Sequence, residues 1–292
     1  MFYFICSINV LFSLSFFVFM LIEDFKQLKY KKEENGILTI TLYWPSKKNA
    51  LSPLGLLELW YAVDHAEKDK QVRAMMLTGS EEAGAFSSGG YFSEDMVKDV
   101  PKEYRLEINL RDMASKKLCL KFWDFSKPVI SVINGFAVGG GFTLPIICSD
   151  LVYMAEDAWW ALYFVKRAVI PDFATTFLLP FIVGMNKAKD LFFFGEKMTA
   201  YEAEKLGLVN KVLPREELMP YAREQALKLI APKGPSLSIK LMKKTIHSYF
   251  RDIIIEQLDL ENKMWSKAIR SKDFAESLNA LKEKREPDFI GK

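Results

Sequence analysis

Apolar and polar residues alternate along residues 36–42, GILTITL, as they do in a strand with one face buried. Ser52-Pro53 has the form of a helix N-cap followed by proline at the first helical position, and it predicts a helix over 54–68. Residues 72–78, VRAMMLT, are a short apolar run closed by Gly79, the pattern of a strand covered on both faces. Leu106, Leu110, Met113 and Leu120 recur at helical spacing, so one long helix is predicted over 104–124. The chain returns to strand at 128–133 and turns at Asn134-Gly135. It then meets three consecutive glycines, Gly139, Gly140 and Gly141, that open another helix. Pro145 falls inside that helix, where its missing N–H and its ring predict a kink. Residues 151–155 read as strand, and 198–210 hold a short helix stopped by Gly207.

From Pro220 onwards the pattern is helical only, at 222–229, 237–249, 253–265 and 273–284, with APKGP at 231–235 as the breaker. Mixed strands and helices followed by helices alone indicate an α/β core, here 28–215, with a helical C-terminal subdomain, 216–292. Half of the 292 residues are apolar, enough for a large core. The 40 basic residues against 37 acidic ones leave a net charge of +3, which gives no basis for nucleic-acid binding through a basic face. Cys6, Cys119 and Cys148 are scattered without a CxxC pair, so neither a disulfide framework nor a zinc site is supported, and a reducing, cytoplasmic setting is expected. His65 and His247 are the only histidines, so histidine triads and multi-histidine metal sites have little raw material, and no metal is expected.

Residues 1–22 carry no charge and are rich in Phe, Leu and Ile, long enough to span a hydrocarbon layer of roughly 30 Å. They lack a basic flank and a small-residue cleavage site, and Glu23 and Asp24 precede the first lysine. Two readings stand: a membrane anchor, or a start extended upstream of a true one at Met20, of which the second is preferred. Residues 1–27 are accordingly set apart as an apolar extension dispensable for fold and catalysis.

Two stretches carry chemistry. The glycines after the 128–133 strand place free backbone N–H groups at the positive end of a helix, with no Cβ to block close approach, and such a start can hold a developing negative oxygen. Tight turns and close packing are the other use of such glycines. In VIPDFATTFLLPFIVG, residues 169–184, Asp172 sits on a turn among apolar residues. By itself Pro-Asp would serve as a helix N-cap. Phe142, Phe164, Phe173 and Trp159 or Trp160 are expected around this acid, where desolvation would raise its pKa and suit it to move protons.

The segments SKKNALS (46–52), MLTGSEEAGAFSSGG (76–90), KPVISVINGFAVGGGF (127–142), SDLVYMAEDAWW (149–160) and VGMNKAKDLFFFGEKMTAYEAEKLGLVNKV (183–212) come in one order, closed by EKREPDFIGK. In that order the chain resembles the crotonase, or enoyl-CoA hydratase/isomerase, family from about residue 28 to its end. The resemblance implies an α/β fold, a crotonase-like spiral of ββα units with a helical C-terminal trimerisation subdomain that builds homotrimers or hexamers. It also implies an acyl-CoA thioester substrate, with coenzyme A as part of that substrate and no other cofactor. It places the two oxyanion donors at Gly90 and Gly140, with Ala50, Ser88, Gly89, Gly139, Gly141, Phe142 and Phe164 around the substrate. Lys47, Lys48 or Lys284 would stand near the coenzyme A phosphates.

Hydratases of the family carry two glutamates that align with Thr143 and Phe164, and neither is acidic here, which disfavours hydration. Asp172 falls where isomerases of the family carry their single acid, in a segment that resembles the PD-x-x-x-T of the ring-epoxyphenylacetyl-CoA isomerase branch. Gly89-Gly90-Tyr91 replaces the usual Gly-x-Asp. The expectation is an enoyl-CoA isomerase in which Asp172 takes a proton at C2 and returns it at C4 while Gly90 and Gly140 hold the dienolate oxygen. The alternatives are an aryl- or acyl-CoA dehalogenase or hydrolase with Asp172 as nucleophile and a histidine near it, a hydratase-like member, and a non-catalytic acyl-CoA-binding homologue.

Overall fold

The computed structural model describes residues 19–91, 93 and 96–292. The described chain enters through an antiparallel pair, β1 (Leu28–Lys32) and β2 (Ile37–Leu42), and then repeats one unit: a strand for a large sheet, a strand for a small one, and a helix. β2, a bridge at Leu51 and α1 (Pro53–Lys68) begin the series. β3 (Ala74–Gly79), β4 (Ala85–Ser87) and α2 (Lys116–Trp123) come next, followed by β5 (Val129–Ile133), β6 (Phe136–Val138) and α3 (Gly140–Cys148). β7 (Leu151–Ala155), β8 (Trp159–Ala161) and α4 (Thr175–Val183) repeat it again. After α5 (Met185–Phe194), the segments β9 (Lys197–Thr199), α6 (Ala200–Lys205) and β10 (Lys211–Leu213) close the two sheets. α7 (Arg215–Leu229), α8 (Ser236–Ala268) and α9 (Lys272–Glu283) follow.

The large sheet runs β1-β2-β3-β5-β7-β10 and the small one β4-β6-β8-β9, parallel apart from the β1–β2 and β8–β9 pairs. Every residue of β3 and β5 is buried, each flanked by strands on both sides with α7 packed against both and β4 against β3, and this is why both read as nearly continuous apolar runs. α1 starts where Ser52 accepts a hydrogen bond from the Gly55 amide at 3.1 Å, with Pro53 at the first helical position.

The single helix expected over 104–124 is corrected to a short 3-10 turn at Lys102–Glu107, an irregular stretch, and α2. Asp112 stops the longer helix by accepting the Lys116 and Lys117 amides at 2.7 and 3.1 Å, while Ser115 takes a left-handed backbone conformation. The two helices expected at 237–249 and 253–265 are one, α8, since no glycine or proline separates them. α3 continues through Pro145 to Cys148.

The boundary at residue 27 marks a change of composition and not of packing. Met20, 1% exposed, packs with Leu54, Leu57 and Tyr61 of α1 and with Val100 and Tyr104, and Glu58 of α1 accepts the Lys26 and Gln27 amides at 2.9 and 2.8 Å. No helix among the described residues is long and apolar enough to cross a membrane, and residues 1–18, on which most of the anchor reading rests, lie outside the described residues.

Candidate active site

The turn at 44–50 and the strand end at 87–91 build one wall of the site. Asn49 is buried in a left-handed conformation; its carboxamide accepts the Trp44 amide at 2.9 Å and donates to the Ala85 carbonyl at 2.9 Å. The Ser87 hydroxyl donates to the Asn49 carbonyl at 2.7 Å and accepts the Gly89 amide at 3.1 Å. Leu51 then pairs with Gly90 as a short parallel bridge: the Leu51 amide donates to the Gly89 carbonyl at 2.8 Å and the Tyr91 amide to the Leu51 carbonyl at 3.0 Å. Backbone groups alternate sides along extended chain, so the Gly90 N–H points away from Leu51, and it has no hydrogen-bond partner among the described residues.

Gly139 ends β6 with a positive φ of 53° and offers its carbonyl to the Phe142 and Thr143 amides at 2.9 and 3.0 Å, which starts α3 at Gly140. As the first residue of that helix, Gly140 has an N–H without an intrahelical acceptor, and none other is found among the described residues. A Cβ added to Gly140 would lie 3.7 Å from the Gly90 nitrogen and 3.7 Å from Asp172 Oδ2. Two free amides and one carboxylate oxygen therefore converge on one point.

Asp172 is 9% exposed. Thr143 of α3 donates its hydroxyl to Oδ1, so Oδ2 is the oxygen beside Gly140. Burial pushes the Asp172 carboxyl up to about 8; the Thr143 hydroxyl works against this, and the nearby Glu261 carboxylate adds to it. The helix N-cap reading of Asp172 is corrected: its side chain caps nothing, and α4 starts after consecutive left-handed residues, Phe173 and Ala174. Glu261 of α8 takes the capping role, accepting the Ala174 and Thr176 amides at 2.8 and 3.1 Å.

A cavity of about 230 Å³ opens from Gly90, Gly140 and Asp172. Leu56, Leu57 and Trp60 of α1, Ile108, Leu110 and Met113 of the irregular stretch, and Trp265 of α8 line it. The apolar residues that mimic a helix face over 104–124 are thus a cavity wall. Glu107 and Asp112 also reach this wall with their oxygens engaged: Glu107 accepts the Tyr61 hydroxyl at 2.5 Å and pairs with Lys117 at 3.4 Å, and Asp112 accepts the Asn262 amide at 2.9 Å besides capping α2.

The remaining residues expected at the site fall differently. Gly89 and Gly141 are packing glycines, since a Cβ would come within 2.4 Å of the Val138 carbonyl oxygen and 2.5 Å of the Ser87 carbonyl oxygen respectively. Phe142 turns into the core against Trp160, ring centroids 4.7 Å apart, and Trp159 stacks on Phe136. Phe164 packs edge-on against Trp265 with its tip 3.9 Å from where a Gly139 Cβ would lie. Ser88 is tied to the Lys47 carbonyl, and Ala50, Lys47 and Lys48 belong to the turn beside Gly90, whereas Lys284 caps α9 and does not line the cavity. His65 meets the Met20 carbonyl and His247 stacks on Trp123, so neither lines the cavity. Trp60, Trp265, Asn49 and Glu261 are site residues that the sequence reading passes over; only Asn49, an asparagine inside SKKNALS, carries a local signal for its left-handed turn.

Convergent amide donors stabilise an oxygen that gains negative charge, and a buried carboxyl beside it moves a proton. The enoyl-CoA hydratase/isomerase family model matches residues 32–292. Relatives include the 1,2-epoxyphenylacetyl-CoA isomerase of Escherichia coli, 30% identical over 259 residues that cover 89% of this chain and 97% of that protein. The short-chain-enoyl-CoA hydratase of Clostridium acetobutylicum is 31% identical over 254 residues, 87% of this chain and 94% of that one. Among solved structures, an enoyl-CoA hydratase/isomerase from Pseudoalteromonas atlantica matches with a TM-score of 0.78 at 26% identity, over 91% of this chain and 100% of that one. By fold and by sequence, this chain belongs to the enoyl-CoA hydratase/isomerase, or crotonase, family.

Proposed function

We propose that the protein is an acyl-CoA isomerase that moves the double bond of an enoyl-CoA thioester. The observation that carries this is the placement of Asp172 Oδ2 beside the free amides of Gly140 and Gly90, with the other cavity carboxylates already bonded. With the thioester oxygen on those amides, the charge formed when a proton leaves C2 is spread into a dienolate whose oxygen they stabilise, each donor worth about 3–4 kcal/mol where such donors have been removed. Asp172 takes that proton as carboxylate and returns it at C4 as acid. A carboxyl pushed up to about 8 is matched to both halves of this shuttle near neutral pH. Proton transfer through one carboxyl calls for no cofactor beyond the coenzyme A portion of the substrate.

Hydration is the competing reading, favoured by relatives named as hydratases. Adding water uses a second acid or base to activate it, and Thr143, which is bonded to Asp172, and Phe164, which packs on Trp265, offer none. Aryl-CoA dehalogenation with Asp172 as nucleophile lacks a histidine at the cavity among the described residues. The test is a product analysis with 3-enoyl-, 2-enoyl- and aryl-CoA thioesters. Conversion of 3-enoyl to 2-enoyl is expected, and in Asp172→Asn it should fall roughly 10²–10⁴-fold. Accumulation of 3-hydroxyacyl-CoA from the 2-enoyl substrate would overturn the isomerase reading, and inertness towards every thioester would leave the non-catalytic acyl-CoA binder.

A further inference from the structure

The turn that presents Asp172 is held from far along the chain. Phe173 and Ala174 both take left-handed backbone conformations, which non-glycine residues hold only when surrounding contacts impose them. Those contacts come from α8. Glu261, 1% exposed, receives three hydrogen bonds from this turn: the Ala174 amide on one oxygen, and the Thr176 amide and hydroxyl on the other. Gln257, one helical turn earlier on the same face of α8, donates to the Thr176 hydroxyl oxygen at 2.6 Å. Thr176 is the threonine that closes the PD-x-x-x-T segment, so the segment's two polar ends do different work. Asp172 faces the cavity, and Thr176 is the anchor for α8.

We propose that Glu261 is a positioning residue for Asp172: by capping α4 from α8 it holds the strained turn and leaves the Asp172 carboxyl free to face Gly140. A helix start needs acceptors for its first amides, and the nearest carboxylate in sequence is Asp172 itself. Without Glu261, the Asp172 carboxylate would be drawn towards those amides, and turning to them would take Oδ2 from the oxyanion pocket. Glu261 thus separates capping from chemistry, two roles that would otherwise compete for one carboxylate. Its charge also faces Asp172, and the Cys119 thiol of α2, itself pushed up by burial, is a second buried titratable neighbour of that carboxyl. Lys117, Glu107 and Asp112 stand at the cavity wall, bonded as described above.

The kinetic part of this inference rests on the isomerase reading; the structural part does not, and Glu261→Gln tests them separately. Glutamine keeps the shape but turns one acceptor into a donor opposite an amide. Three measurements are made: hydrogen exchange of the segment spanning Asp172 to Thr176, isomerisation of a 3-enoyl-CoA, and the pH at which Asp172 titrates. The last is followed by the protonated-carboxyl infrared band that disappears on adding Asp172→Asn to the same background. Exchange is expected to quicken at least tenfold, the titration to move to lower pH with the neighbouring charge gone, and kcat to fall roughly 10- to 100-fold with KM within threefold. A merely structural role would lower stability but leave the titration and the kcat of folded protein unchanged, and that result would overturn the proposal. If Glu261→Gln does not fold, Thr176→Val removes one of the three bonds while keeping the Glu261 charge, and it is expected to quicken exchange and lower kcat by smaller factors; no change in either would also overturn the proposal. If the wild type is inert on thioesters, the isomerase reading fails, and the positioning role stands or falls on the exchange and titration results.

Discussion

The Thr143 hydroxyl donates to Oδ1 of Asp172, and this one bond decides which carboxyl oxygen faces the oxyanion pocket. The bond favours the charged carboxylate, against the burial that disfavours it. Thr143→Val keeps the shape and removes the donor. The Asp172 carboxyl should then be pushed further up, so the ascending limb of kcat/KM against pH moves to higher pH. A hydrogen bond to a charged group is worth about 1.5–3 kcal/mol, so activity at pH 7 should fall roughly tenfold or more. A pH–rate profile that superposes on the wild type would show that Asp172 does not depend on this contact.

Stability should decline as pH rises through neutrality. The Asp172 carboxyl is pushed up to about 8, and those of Glu261 and Glu58 to about 7, in each case chiefly by burial. In the unfolded chain such groups titrate near pH 4. Between those values the folded protein holds protons that the unfolded chain has released, so their contribution is full below roughly pH 4 and is lost as pH climbs through about 7 and 8. Asp172→Asn removes the highest of these titrations, and urea midpoints measured from pH 5 to 9 should fall less steeply above pH 7 than in the wild type. An equally steep fall would place the titration elsewhere.

Adjacent glycines should respond oppositely to the same substitution. At Gly141 a methyl group meets the Ser87 carbonyl oxygen at 2.5 Å, backbone against backbone, so Gly141→Ala should lower stability by about 1–3 kcal/mol. At Gly140 the nearest atom is the Leu51 Cδ1 at 3.2 Å, the end of a movable side chain, and folding should be nearly unaffected. That methyl instead stands between the Gly90 amide and Asp172, and turnover should drop on the order of a hundredfold, as for loss of one oxyanion donor. Thermal melts and steady-state rates of the two variants decide the matter; equal turnover in Gly140→Ala would remove the pocket.

A chain beginning at Met20 should fold and turn over nearly as the full chain does, because it keeps the buried Met20 contacts with α1, although it loses the edge-on contacts of the exposed Phe19 ring with Tyr61 and His65. A chain beginning at Phe25 lacks the buried Met20 side chain and the Met20 carbonyl that meets His65, and it should melt several degrees lower. Leu57 belongs both to the Met20 cluster and to the cavity wall, so KM for the acyl-CoA should rise as well. Identical melting curves for the two truncated chains would show that the segment carries no load.

Assembly into trimers or hexamers is expected. Leu237, Leu241, Met242, Ile246 and Tyr249 on α8 and Phe181 on α4 expose apolar surface of the kind that soluble proteins cover with another subunit. Light scattering at micromolar concentration should report a multiple of three chains, and a stable monomer would refute it.

Local physics made part of this protein legible in its sequence. The alternation in β2, the Ser52-Pro53 start of α1 and the glycines at the start of α3 rest on neighbours in the chain, where side-chain period and backbone freedom act directly. The same holds for Asp172, whose turn could be read from Pro171 and the apolar residues beside it. Periodicity marks which residues avoid water but not what they avoid it against. Leu110 and Met113 therefore read as a helix face when they line a cavity, and Phe142 reads as a neighbour of Asp172 when it packs on Trp160. Tertiary structure alone decided that Glu261, 87 residues from Ala174, would cap α4, and that Thr143 would turn one oxygen of Asp172 away from the site. Hydrogen bonds across such separations leave no local pattern, because they are set by how sheets and helices pack and not by which residues follow one another.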